Sequence, residues 1–327
     1  HHSDAGLDMR SFVTFEGTVT EYSWRNPHVY IGVETLDDNG EPVEWALQTS
    51  STITVSRMGW TRESLTPGER VTIVAHPAQN GRPYGLLDSI EKVDGTRLSS
   101  SFYSASGEPR LERAATEFRA DSLEGIWLAD GEKLVDYPGG FDGFFRAEMV
   151  LTEKGKSAQA TFIELSDENP ESTCIGRPTP GMILSSVIYP LEITFQNEQQ
   201  TMTLHSEYFD DLRTVYMDGR SHPNPSERFT AGHSIGRWED DVLIVDTHNF
   251  ADHRSPYQIG VPSGAGKHVI ERFQLINDGA GATFEFMLED PEYLAEPLLH
   301  SREMIYSPRM ELSRFDCDVD STSRFLP

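Results

Sequence analysis

Short strand-like segments separated by turn residues recur along the chain and restrict it to an all-β fold. In the first part of the chain they lie at 11–22, 28–35, 43–48 and 71–76. The turns between them include Asn39-Gly40 and Pro67-Gly68, where glycine accepts the positive φ that tight turns require. About five strands with one short helix, predicted within 51–65, are typical of a small barrel of the oligonucleotide/oligosaccharide-binding (OB) type.

The second half predicts a larger antiparallel β domain. After a polar segment at 99–121, interpreted as a linker or short helix, strand-like sequence resumes at Gly125-Ile126-Trp127. Further strand-like segments lie at 147–152, 158–164, 191–195, 201–206, 213–217, 242–246, 268–275 and 283–288. This number of strands predicts a barrel or a sandwich, and the Gly-x-Trp at its start resembles a lipocalin-like barrel. The predicted domains are therefore 1–98 and 122–327.

The charge of the chain excludes several classes of partner. It has 27 Lys and Arg residues against 53 Asp and Glu residues, a formal net charge of −26. Nucleic acids and anionic membrane surfaces need a basic stripe, so neither is an expected partner. The longest apolar stretch, 182–190, is far shorter than the roughly 20 residues that span a bilayer, so we expect no membrane insertion.

The chain has two cysteines, Cys174 and Cys317. This number excludes a cysteine-rich metal site and a disulfide-dense scaffold. The two residues could form one disulfide or remain buried thiols. Export from the cytoplasm would favour the disulfide.

Histidines at the start of the chain form the first candidate site. If His1 is a mature N-terminus, its α-amine and ring Nδ1 can chelate one metal ion, and a further imidazole would complete a copper-favouring set. The nearest candidate for that imidazole is His28, which follows Asn26-Pro27, and His2 is an alternate ligand. The alternatives are that the His pair is a tag remnant or a disordered end, and that His28 is a turn residue bonded to backbone.

A second group of polar residues lies in the second half. It comprises Asp218, Arg220, His222, His233, Arg237, Asp246 and His248. Such a group can bind a metal, relay protons or anchor a polar ligand. The alternative is a buried polar network that braces long loops against the β domain.

A G-x-S-x-G pattern occurs at Gly232-His233-Ser234-Ile235-Gly236. In serine hydrolases this pattern needs a strand before it and a helix after it, so that the serine lies on a strained turn. Here a loop precedes the pattern and a strand-like run follows it. The context therefore argues against a hydrolase elbow.

Two blocks of sequence resemble known families. The first has His1-His2-Ser3, Trp24-Arg25-Asn26-Pro27-His28 and Leu65-Thr66-Pro67-Gly68-Glu69. It resembles exported bacterial proteins of unknown function whose mature chains begin with His-His-Ser. The second has Met217-Asp218-Gly219-Arg220, His222-Pro223 and Gly232-His233-Ser234-Ile235-Gly236-Arg237-Trp238-Glu239. It resembles another uncharacterised exported bacterial β domain. The resemblance implies a secreted or periplasmic protein with a disulfide, and it supplies no substrate.

The resulting hypothesis is an exported protein that binds copper or a similar divalent ion through the N-terminal amine, His1, His2 and His28. One alternative is a structural subunit of an extracellular homo-oligomer, formed when an N-terminal arm pairs with a neighbour's sheet edge. Another is an enzyme or small-ligand binder with its pocket in the second domain. The sequence leaves open the ligand and whether any reaction is catalysed.

Overall fold

The computed structural model of the chain describes residues 6–100, 117–133, 137, 140–163 and 166–322. These residues divide into two compact units. The first contains the described residues up to 100 and those from 315 onward, and the second contains the described residues from 117 to 314. Each unit is built around a β-barrel, which confirms the all-β prediction.

The first unit contains a small OB-like barrel. Its strands are β1 (Val13–Ser23), β2 (Tyr30–Leu36), β3 (Pro42–Gln48), β4 (Arg70–Pro77), β5 (Tyr84–Lys92) and the short β6 (Arg97–Ser99). They form a sheet in the order β3-β2-β1-β4-β5-β6, and a parallel pairing between β3 and β5 closes its first five strands into a barrel. The predicted helix is α1 (Thr52–Arg57), whose N-terminus is capped by the Ser51 side chain.

Aliphatic side chains fill this barrel. Along β4, Val71, Ile73 and Ala75 are buried, as the alternation of a half-buried strand requires. Gly59, two residues after the end of α1, adopts a φ of +91°. This conformation turns the chain so that Trp60 enters the core, where its indole N–H donates to the Ser99 carbonyl at 2.8 Å.

The second unit contains a closed barrel of nine strands. They are β7 (Gly125–Ala129), β8 (Leu191–Gln196), β9 (Thr201–Ser206), β10 (Asp211–Tyr216), β11 (His233–Glu239), β12 (Val242–His248), β13 (His268–Ile276), β14 (Gly281–Glu289) and β15 (Leu298–Tyr306). The order is β10-β11-β12-β13-β14-β15-β7-β8-β9, and all neighbours are antiparallel except β10 and β11. Because the sheet closes on itself, the second domain is a barrel and not a sandwich. Its nine strands are one more than the eight of a lipocalin.

The interior of the second barrel combines apolar side chains with a buried ion pair. Val245, Val269 and Phe273 are fully buried at alternate positions of β12 and β13, so these positions face inward. Arg213 and Glu271 face the same interior, and the Arg213 Nη1 donates to Glu271 Oε1 at 3.0 Å. The intervening positions of β12 and β13 face outward.

Helices occupy several segments between the strands. They are α2 (Gly140–Glu148), α3 (Glu153–Ala160) and α4 (Gly181–Ser185), with α5 (Val319–Thr322) near the C-terminus. The predicted strands at 147–152 and 158–164 are therefore wrong. Thr152 explains part of the error, because its hydroxyl caps α3 by accepting from the Gly155 N–H at 3.1 Å. Every described helix is too short or too polar to cross a membrane.

The C-terminal segment belongs to the first unit. The predicted second domain extended to residue 327, whereas the described residues from 315 onward group with the small barrel. The Asp318 N–H donates to the Asn26 carbonyl at 2.9 Å, and Arg25 pairs with the Asp318 carboxylate at 2.7 Å. Cys174 and Cys317 form a disulfide. Most of the predicted linker, residues 101–116, lies outside the described residues.

Candidate metal centre

Three adjacent strands of the second barrel place histidines side by side on its outer wall. Thr247 is fully buried, so its neighbours Asp246 and His248 on β12 face outward. His233 of β11 is directly opposite His248 in the antiparallel register. The register of β12 with β13 places His268 on the other side of His248, one position beyond the pair Thr247 and Val269.

His222 reaches this row of histidines from the loop between β10 and β11. Its Nε2 lies 3.4 Å from the Asp246 Oδ1 atom. Its ring meets the His248 ring edge to face, with centroids 4.9 Å apart and planes at 78°. On its other side, the Nδ1 of His222 lies 3.0 Å from the Nδ1 of His233.

The Asp246 carboxylate is the centre of the cluster. Its Oδ1 lies 3.4 Å from the Nε2 of His222, 3.3 Å from that of His248 and 3.0 Å from that of His268. Among these contacts, the His268 contact has hydrogen-bond geometry. The Nε2 of His222 is buried and makes no hydrogen bond within the described part of the chain. One ligand atom each from His222, Asp246 and His248 lie within 4.8 Å of one another.

The protonation of these groups follows from their contacts. The hydrogen bond from His268 lowers the pKa of Asp246, and the same bond raises the pKa of His268, which also faces Glu289. Burial lowers the pKa of His248 and of His233. Near neutral pH, His248 therefore keeps a nitrogen lone pair, while Asp246 is ionised.

Asp218 and Arg220 lie beside the cluster and contact it through an aromatic ring. The Arg220 guanidinium lies 3.8 Å from the centroid of the Tyr216 ring, which stacks against His233 with centroids 5.0 Å apart. Arg220 Nε donates to the Asp218 carboxylate at 2.9 Å, and this bond lowers the pKa of Asp218 to about 2. This pair therefore supports His233 and does not contribute a ligand atom to the centre.

The structure thus brings together four of the predicted residues, His222, His233, Asp246 and His248, with Asp218 and Arg220 beside them. Arg237 is not part of the cluster, because it lies further along β11 and pairs with Glu239 at the surface. Two members, His268 and Glu289, were missed. They face each other across β13 and β14, and the Glu289 Oε2 lies 3.4 Å from the His268 Nδ1. Strand register reveals this proximity, and no spacing in the sequence does.

The N-terminal candidates have a different outcome. His1 and His2 lie outside the described residues, so the site predicted there stays a prediction. His28 is 1% exposed, and its Nδ1 donates to the Thr49 carbonyl at 2.7 Å. This bond assigns the ring proton to Nδ1, which leaves Nε2 as the atom with the lone pair.

The serine of the G-x-S-x-G pattern has no hydrolase geometry. Ser234 lies within β11, is fully buried, and its Oγ is 2.9 Å from the Thr247 Oγ1 inside the barrel wall. A nucleophile elbow would instead expose this oxygen on a strand-to-helix turn.

Comparison with known proteins finds a similarity in the first part of the chain. Residues 1–88 match a family of unknown function, DUF6152. The match covers 88 of the 327 residues, the part that carries His28 and the first-block motifs. No curated protein and no solved structure matches the chain. The second barrel, with its cluster of histidines, lies outside the matched residues.

Proposed function

We propose that this protein binds a divalent transition-metal ion on the outer wall of its second barrel, through the Nε2 atoms of His222 and His248 and the Asp246 carboxylate. The observation that carries the proposal is the His222 Nε2, a buried ring nitrogen without a hydrogen bond in the described chain, directed at a carboxylate and a second imidazole. A buried polar atom without a hydrogen-bond partner raises the free energy of the folded state, and a bound ligand would supply the missing contact.

The distances within the cluster fit a small ion. Two ligand atoms at the tetrahedral angle around an ion, with bonds of about 2.1 Å, lie about 3.4 Å apart. The Asp246 Oδ1 lies 3.4 Å from the His222 Nε2 and 3.3 Å from the His248 Nε2. The ring planes of the two histidines are nearly perpendicular, so both can face the same point from different sides.

The chemistry of the ligands indicates which ions suit the site. Imidazole favours zinc, copper, iron and nickel, whereas calcium and magnesium prefer sites built from oxygen alone. Two imidazoles and one carboxylate therefore favour a first-row transition metal. The affinity series for such ions places copper(II) above zinc(II) for a given set of ligands, so we expect copper(II) to bind most tightly.

Titration calorimetry with zinc(II) on chelator-treated protein tests the proposal. We expect one ion to bind at the second barrel, and the double substitution His222→Ala and His248→Ala to abolish that binding. His205→Ala is the matched control, because His205 lies on the outer wall of β9, paired with Glu192 at 3.7 Å. Retained binding by the double variant, or equal loss in the control, would reject the site.

The copper site predicted from His1, His2 and His28 remains a separate proposal, supported by the imidazoles that these three residues offer. Electron paramagnetic resonance of the copper(II)-loaded protein distinguishes the two sites. Blocking the α-amine should remove an N-terminal signal and leave the second-barrel signal unchanged, and the double histidine variant should do the reverse.

We also propose that the protein is exported from the cytoplasm. The support is the disulfide between Cys174 and Cys317, since disulfides persist mainly in oxidising compartments. Fractionation of cells that express the full-length protein tests this, and recovery of reduced protein from the cytoplasm would contradict it.

A further inference from the structure

We infer that the metal centre is coordinatively open: three protein side chains bind the ion, and the remaining position takes a small monoanionic ligand supplied from solution. This inference rests on the proposed function. It concerns the role of His268, which is close enough to Asp246 to be mistaken for a fourth protein ligand.

The stacking of two rings excludes His268 as a partner of His248 on one ion. Their centroids are 3.9 Å apart and their planes differ by 10°. The lone pair of an imidazole nitrogen lies in the plane of its ring, and the ion lies about 2.1 Å from the nitrogen along that direction. Two rings stacked nearly parallel at this separation have no such point in common. His222, whose ring is at 78° to that of His248, does not meet this obstacle.

His268 instead has two carboxylate partners of its own. Its Nε2 donates to the Asp246 Oδ1 at 3.0 Å, and its Nδ1 faces the Glu289 Oε2 at 3.4 Å. A histidine that uses both ring nitrogens in this way orients the ligating carboxylate and does not bind the ion itself. Such outer contacts are common around metal ligands. His268 is therefore a positioning residue.

Three protein ligands leave a metal ion with at least one free position. Centres with three protein ligands typically hold water or substrate in that position, whereas four-ligand centres are closed. Asp246 is the one charged ligand of the proposed set, so a divalent ion would keep one unit of positive charge. A monoanionic ligand neutralises that charge, which is why we assign this class of ligand to the open position.

Cobalt(II) substitution tests the inference, because the visible absorption of cobalt reports its coordination. We expect cobalt(II) to bind the wild-type protein and azide to change the spectrum saturably, with one azide per cobalt. His268→Gln should still bind cobalt and still respond to azide. The His205→Gln protein should match the wild type.

The opposite pattern would overturn the inference and leave the metal site in place. If His268 were the fourth ligand, the wild-type cobalt spectrum would be insensitive to azide, and His268→Gln would create the response by opening a position. Failure of cobalt to bind at all would reject the metal site, and with it this inference. The two failures are therefore distinguishable.

Discussion

The two barrels differ in where they place their ion pairs. The small barrel is filled mainly by aliphatic side chains, together with Trp60, and its described ion pairs, such as Arg70–Glu16 and Lys92–Glu69, lie at or near the surface. The nine-stranded barrel holds Arg213 and Glu271 inside, both at most 2% exposed. A barrel widens as strands are added, so its interior requires long side chains and tolerates a polar pair that a five-stranded barrel has no room for.

The histidines of the two barrels show the same contrast. His28 in the small barrel is buried, and its Nδ1 donates to a backbone carbonyl. In the large barrel, His222 and His248 instead converge on a carboxylate at the outer wall. Residue type alone therefore does not identify a candidate ligand, and the candidate in the second barrel rests on several ligand atoms that lie close together.

The largest expected effect tests the buried pair of the second barrel. Glu271→Ala leaves Arg213 buried without its carboxylate, and we expect it to lower the free energy of unfolding by about 3–5 kcal/mol. Hydrogen exchange should show the loss in β12 and β13 but not in β4 of the small barrel. The double variant Arg213→Met, Glu271→Leu should be much less destabilised, and equal loss in both variants would contradict the charge argument.

The next effect concerns the pH dependence of the second barrel. Burial against Phe250 and Tyr257 lowers the pKa of Lys267 to about 7, with Asp290 acting in the opposite direction. Between pH 7 and pH 9 the unfolded chain binds the proton that the folded chain has released. Stability therefore rises with pH over this range, by about 1.4 kcal/mol per unit for one such group. Lys267→Met should remove this slope, and a slope that persists in the variant would assign it to other groups.

The sequence predicted the small barrel well and the centre incompletely, for physical reasons that particular residues show. Strand alternation and turn glycines are local signals, so β1 to β4 and α1 were predicted close to their positions. The segments 147–152 and 158–164 have strand-like composition but lie partly in α2 and α3, since short helices and strands are hard to separate by composition. His268 joined the cluster through strand register alone, a long-range property that no local pattern encodes.

The positioning role of His268 predicts a moderate effect on metal affinity. His268→Gln removes the donor that orients the Asp246 carboxylate, and loss of such a contact typically weakens metal binding by about 10–100-fold. Calorimetric titration with zinc(II) measures the change. A loss as complete as that of the His222 and His248 double variant would make His268 a ligand, and an unchanged affinity would deny it any role.

The corresponding change in the small barrel should affect stability and not the second-barrel site. His28→Leu removes the donor to the buried Thr49 carbonyl, which should lower the free energy of unfolding by roughly 1–2 kcal/mol. Zinc(II) affinity at the second barrel should be unchanged. If the predicted N-terminal site exists, the same variant should weaken its copper(II) signal, so one protein tests the contrast between the two histidine environments.

The smallest effect is expected at Arg237, the predicted site residue that lies away from the cluster. Its guanidinium pairs with Glu239 at 2.6 Å, and both side chains are about half exposed. Exposed pairs of this kind contribute about 0.2–1 kcal/mol, because water screens them and two long side chains lose freedom. Arg237→Ala should therefore change both thermal stability and zinc(II) affinity little.

The matched substitution Arg220→Ala should weaken zinc(II) binding more, since Arg220 stacks on Tyr216 behind His233. Equal effects of the two substitutions would show that Tyr216 and His233 transmit nothing to the metal ligands.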